Sequence, residues 1–109
     1  WKSYENIIFI SKSIGTVVAA RYAKEYDITC RNIYMTPLAE TFLFEPCNGI
    51  AFHGTADSWA DTKIIKDKFI QYDIKLSIIP DADHSLETAD TMNNIAIINK
   101  VMDEIKKYL

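Results

Sequence analysis

The sequence predicts an α/β fold, a mostly parallel β-sheet flanked by helices. Short apolar runs alternate along the chain with longer segments of helical composition, the pattern of a parallel sheet covered by helices. The runs are continuously apolar rather than alternating with polar residues, as strands buried on both faces are. The chain holds three glycines, each at a strand-to-helix or loop-to-strand junction. With 109 residues and 49% hydrophobic content it has enough apolar material for one core and no room for a second. Residues 1–109 are therefore read as a single domain.

The elements follow in order. Residues 6–10, NIIFI, form a first strand, and 13–26 a helix in which Ala, Val, Arg, Lys and Glu mix; Asp27 ends it. Residues 31–36, RNIYMT, form a second strand, stopped by Pro37, which cannot donate to a ladder. A looser stretch spans 38–47. Residues 48–54, NGIAFHG, make a third strand, and 61–72 a helix with Ile65, Phe69 and Tyr72 on one face. The fourth strand is 74–80, IKLSIIP. From about Thr88 the chain is helical to its end, with Ile95, Ile98, Met102 and Ile105 recurring every three or four residues.

Composition excludes several classes. Twelve basic against 15 acidic residues leave a net charge of −3, and no basic cluster exceeds Lys106 and Lys107, so a nucleic-acid partner is not expected. Cys30 and Cys47 have neither C-x-x-C spacing nor disulfide-scaffold density, which suits free thiols in a reducing compartment and points to the cytoplasm. No apolar run approaches the roughly 18 residues of a membrane span, and no signal-peptide pattern opens the chain. No membrane partner is expected. A Gly-rich phosphate loop, a metal-ligand cluster and a dinucleotide fingerprint are all missing, so neither cofactor nor metal is inferred. Trp1 stands where an open reading frame has Met, which suggests that residues were removed or belong to a longer protein.

In a parallel sheet, chemistry gathers at the carboxyl ends of the strands. Ser13 follows the first strand, Asp57 the third, in FHGTAD, and His84 the fourth, in IPDADHSLE. A hydroxyl is a poor nucleophile at neutral pH; it needs an imidazole to take its proton and a carboxylate to hold that imidazole in the right tautomer. All three groups are present. Each has a plainer reading as well: Ser13 as a helix cap, Asp57 as a cap with Asp61 a competing acid, and His84 as an exposed loop residue between Asp81 and Asp83. Asp57 is favoured because it directly follows the Gly-Thr-Ala turn. His53, inside an apolar strand, reads as structural, and Lys12 as a neighbour whose side chain diverges from Ser13. Trp59 either lines a pocket or packs, and the two cysteines read as inert.

The order Ser, Asp, His is the chain order of the α/β-hydrolase triad, and SKSIG (residues 11–15) resembles that family's nucleophile elbow, G-x-S-x-G. A strand turning abruptly into a helix brings its flanking backbone together, so residues 11 and 15 are expected to be small; here they are Ser11, where the family has Gly, and Gly15. HGTAD and ADHSLE are similar to the acid and histidine loops of the dienelactone-hydrolase and small-esterase branches. The resemblance covers nearly the whole chain.

It implies a serine hydrolase that cleaves a carboxylic ester or related acyl bond of a small-molecule substrate, with Ser13 as nucleophile, His84 as base and then acid, and Asp57 orienting the imidazole. Thioesterase, peptidase or acyltransferase chemistry on the same triad is an alternative, as is a non-catalytic binding module on the same scaffold. The Ile14 backbone N–H would be the first oxyanion donor. The second donor comes, in the family, from a loop early in the fold. The resemblance begins at about the fifth of eight strands, so the chain is expected to be a C-terminal portion holding the last four strands only. Such a portion is expected to be weakly active or inactive alone, and to self-associate or pair with a missing N-terminal half. Residues 38–47, with Phe42, Leu43 and Phe44, lie where the family often inserts a cap; a stretch this short implies a small or open substrate site.

Overall fold

Four apolar segments become the strands of one parallel sheet in the computed structural model, which describes residues 6–46, 48–72 and 74–109. The strands are β1 (Ile8–Lys12), β2 (Arg31–Met35), β3 (Gly49–Gly54) and β4 (Ile74–Ile79), in the spatial order β1-β2-β3-β4. Every adjacent pair is parallel, with Ile10 opposite Ile33, Ile33 opposite Ile50 and Phe52 opposite Ser77. The helices are α1 (Ile14–Glu25), α2 (Thr62–Phe69) and α3 (Thr91–Tyr108). Trp1 and Cys47 lie outside the described residues. Cys30 is buried, with Asn32 Nδ2 3.6 Å from its Sγ. Among the described residues no helix is long and apolar enough to cross a membrane, and no cluster of His, Cys, Asp or Glu is suited to hold a metal.

Strand side chains alternate in direction, so the sheet sorts its residues between two cores. Ile33, Ile50, Phe52 and Ile79 face α3 and meet Ile97 and Val101. Tyr34, Ala51 and Ile74 face the other way and meet Ile65 and Phe69 of α2 with Phe42. Phe42 belongs to a 3₁₀ helix, Ala39–Phe44, inside the stretch read from sequence as loose. That turn is a packing connector. Phe42 meets the Phe69 ring edge-on at 4.7 Å and stacks on Tyr72 at 5.9 Å. Asp61 and Asp90 begin α2 and α3 by accepting backbone N–H groups, Lys63 and Ile64 on Asp61 and Met92 on Asp90.

On α3, Ile95, Ile98 and Met102 are 56–63% exposed. The inward stripe is Ile97 and Val101, with Ile105 and Tyr108 partly buried beside them. Both series recur at helical spacing, and only the position of the sheet chooses between them. One sequence expectation is corrected: β1 is not buried on both faces. It is the edge strand, no described strand pairs with its outer side, and Ile10 is 68% exposed because α3 packs over the centre of the sheet instead.

Candidate active site

The site is assembled at the carboxyl ends of β1, β3 and β4, where the chain leaves the sheet through tight turns. Ser13 sits between β1 and α1 with φ 54° and ψ −124°, a left-handed backbone that a non-glycine residue adopts only when its surroundings hold it there. They do so from three directions. The Ser13 N–H donates to the Met35 carbonyl (2.9 Å), and the Ser13 carbonyl accepts from the Thr16 N–H (2.9 Å) and the Thr16 hydroxyl (2.6 Å). Thr16 Oγ1 lies in turn 2.8 Å from Thr41 Oγ1, so the 3₁₀ turn buttresses the elbow. Gly15 is less constrained than expected. A methyl group there would meet nothing nearer than Ser11 Cβ at 3.9 Å, an ordinary contact, so the strain of the elbow resides in Ser13.

The acid and histidine loops are joined backbone to backbone. Thr55 N–H donates to the Ile79 carbonyl (3.1 Å) and Ala56 N–H to the Ala82 carbonyl (2.9 Å). A Cβ on Gly54 would lie 2.2 Å from the Ala82 carbonyl oxygen, closer than any real contact, so only glycine lets the two loops approach. The histidine loop is further organised by Asp83, whose Oδ1 accepts from the Ser85 (2.8 Å) and Glu87 (3.1 Å) N–H groups. The Glu87 and then the Ser85 hydrogen bond hold the Asp83 carboxyl below its ordinary value. Sequence reading placed Asp83 only as a neighbour of His84. Its signal was present, since Asp commonly bonds the backbone two residues on.

These turns bring the three expected groups together. Ser13 Oγ lies 2.6 Å from His84 Nε2, and His84 Nδ1 lies 2.8 Å from Asp57 Oδ2. The Ser13 hydroxyl makes no helix-cap bond. A carboxylate only accepts, so His84 Nδ1 carries the donated proton, and Nε2 is left to accept from Ser13. The Asp57 side chain is wholly buried, while His84 keeps 23% of its side-chain surface open to solvent. The second oxygen of Asp57, Oδ1, accepts the Trp59 N–H at 2.8 Å. Trp59 itself is 72% exposed, and its ring stacks on that of His84 at 5.6 Å, tilted by 29°.

The remaining candidates stand apart. Asp61 caps α2 and bonds only backbone N–H groups there. Lys12 ends β1 as an exposed residue. His53 is fully buried, with Nε2 2.7 Å from Thr62 Oγ1 and Nδ1 without a hydrogen-bond partner among the described residues. Burial lowers its pKa from 6.5, opposed by the charges of Asp57 and Asp61. The unfolded chain therefore takes up a proton near pH 6.5 that the folded chain refuses. Stability is full above pH 6.5 and falls as the pH drops from there toward the lowered native value, by up to about 1.4 kcal/mol per pH unit. Urea midpoints between pH 7.5 and 5 should show this slope in the wild type and a shallower one in His53→Gln. Equal slopes would assign the acid sensitivity elsewhere.

No family model matches the chain, and no curated protein does. Solved structures do. An α/β serine hydrolase without a lid from Xanthomonas campestris superposes with a TM-score of 0.73 at 19% identity, covering 95% of this chain and 48% of its own. A serine hydrolase homologue from Coxiella burnetii gives 0.72 at 15% identity, covering 94% and 50%. The esterase domain of a Rhodothermus marinus protein gives 0.61 at 11% identity, covering 87% and 57%. The chain thus spans about half the length of these structures.

Proposed function

We propose that this partial α/β-hydrolase fold carries the nucleophile, base and acid of a serine hydrolase that cleaves a carboxylic ester or related acyl bond. The observation that carries this reading is the continuous relay from Ser13 Oγ through both nitrogens of His84 to Asp57. Ser13 Oγ attacks the substrate carbonyl carbon and its proton passes to His84 Nε2. The imidazolium is stabilised by Asp57 and then protonates the departing oxygen as the acyl bond breaks. Water attacks the acyl-enzyme, returns a proton through Nε2 to Ser13, and releases the acid. The Ile14 N–H, at the first position of α1 where a helix has no internal acceptor for it, is the first oxyanion donor.

The second donor and the rest of the sheet are supplied by an N-terminal half of the same fold, with these residues as the C-terminal portion of the complete domain. Support for that lies in the half-length coverage of the similar structures and in the outer edge of β1. A groove of about 680 Å³ runs along this edge, lined by Ile8, Phe9, Ile10, Val18 and Tyr22. It suits a parallel strand and the apolar side chains that accompany it.

The test is an intact-mass measurement after exposure to a fluorophosphonate, with peptide mapping. The expected result is one adduct on Ser13 that is lost in His84→Ala. An unmodified Ser13 in a folded chain joined to the N-terminal half would refute the catalytic reading and favour a binding module.

A further inference from the structure

Trp59 is an anomaly in the site. Tryptophan is highly buried on average in folded chains, yet this one is 72% exposed. Its backbone N–H donates to Asp57 Oδ1 at 2.8 Å, and its ring stacks on that of His84 at 5.6 Å. Only one face of the indole is used by that stack. The result is an apolar, solvent-facing wall beside the imidazole, and a tryptophan offers large contact area at low conformational-entropy cost.

The chemistry says what meets the wall. If His84 Nε2 protonates the leaving oxygen, that oxygen comes within hydrogen-bond reach of the ring on which Trp59 stacks. The group attached to it therefore departs past the indole. We infer that the exposed surface of Trp59 is a subsite for a planar aromatic group on the leaving side of the substrate, so that benzyl-type esters are preferred over saturated ones of the same size. The inference rests on the serine-hydrolase reading. Trp59 acts here by contact with substrate, independently of its backbone bond to Asp57, which any residue at this position retains.

Benzyl and cyclohexylmethyl acetate, which differ only in the alcohol that departs, test it, with the rate of alcohol release followed for the chain joined to its N-terminal half. The wild type should cleave the benzyl ester faster. Trp59→Ala should lose about 3- to 10-fold in the benzyl rate, the range of one aromatic pair, and less than about 2-fold in the cyclohexylmethyl rate. Trp59→Phe should keep most of the preference, since the phenyl ring retains a stacking face. Equal losses for both esters in Trp59→Ala, or an unchanged ratio, would overturn the subsite and leave the nucleophile assignment standing. A folded wild type, joined to the N-terminal half, that cleaves neither ester and whose Ser13 stays unmodified by a fluorophosphonate would end both readings.

Discussion

Replacing Asp57 with Asn is expected to lower the rate at which Ser13 reacts with a fluorophosphonate by about 10⁴-fold while leaving the fold intact. The reason is a single proton. Asp57 Oδ1 accepts the Trp59 N–H and Oδ2 accepts from His84 Nδ1. An asparagine keeps its carbonyl oxygen on the Trp59 N–H, so its NH₂ faces His84 and Nδ1 must become an acceptor. The imidazole proton then moves to Nε2, the atom 2.6 Å from Ser13 Oγ, which can no longer take the serine proton. The change is nearly isosteric in a fully buried side chain, so far-UV circular dichroism and the unfolding midpoint should move little. Pseudo-first-order rates for the two proteins, measured side by side, decide the matter. A folded Asp57→Asn chain within tenfold of the wild type would mean that Asp57 does not set the tautomer of His84.

Joining these residues to the N-terminal half of the same fold is expected to raise ester turnover by about 100- to 1,000-fold over the 109 residues alone, the contribution of one oxyanion donor. The joined protein should also be monomeric where the 109 residues associate. Both effects come from one edge. No described strand pairs with the outer side of β1, and Ile10, Ile98 and Met102 stand exposed. An open edge beside apolar surface is a template for association, and an added parallel strand would occupy it. Turnover on a short-chain ester together with light scattering tests both. Equal turnover from the two proteins, with the 109 residues a monomer, would show that this half is self-sufficient.

Much of the architecture was legible because strand order along the chain is carried by local composition. Apolar runs interrupted by helical mixtures predict a parallel sheet, and Ser13, Asp57 and His84 could be placed at strand ends by counting. The 3₁₀ helix Ala39–Phe44 was not legible, since one short turn leaves no periodic signal and its role comes from Thr41 and Phe42 meeting α1 and α2. Nor was the inward face of α3, where two apolar stripes at helical spacing compete and sequence spacing alone does not rank them.

The site divides the same way. Sequence by itself determined which hydroxyl, carboxylate and imidazole side chains stand at the strand ends and in what order, because that depends only on residue type and on the turns that Gly54 and Ser13 demand. Only the tertiary structure decided that Asp57 rather than Asp61 reaches His84, that Asp83 shapes the histidine loop, and that Trp59 covers the imidazole. Those outcomes depend on contacts between loops far apart in the chain, such as the 2.9 Å bond from Ala56 to Ala82, whose geometry is set by the twist and register of β3 against β4.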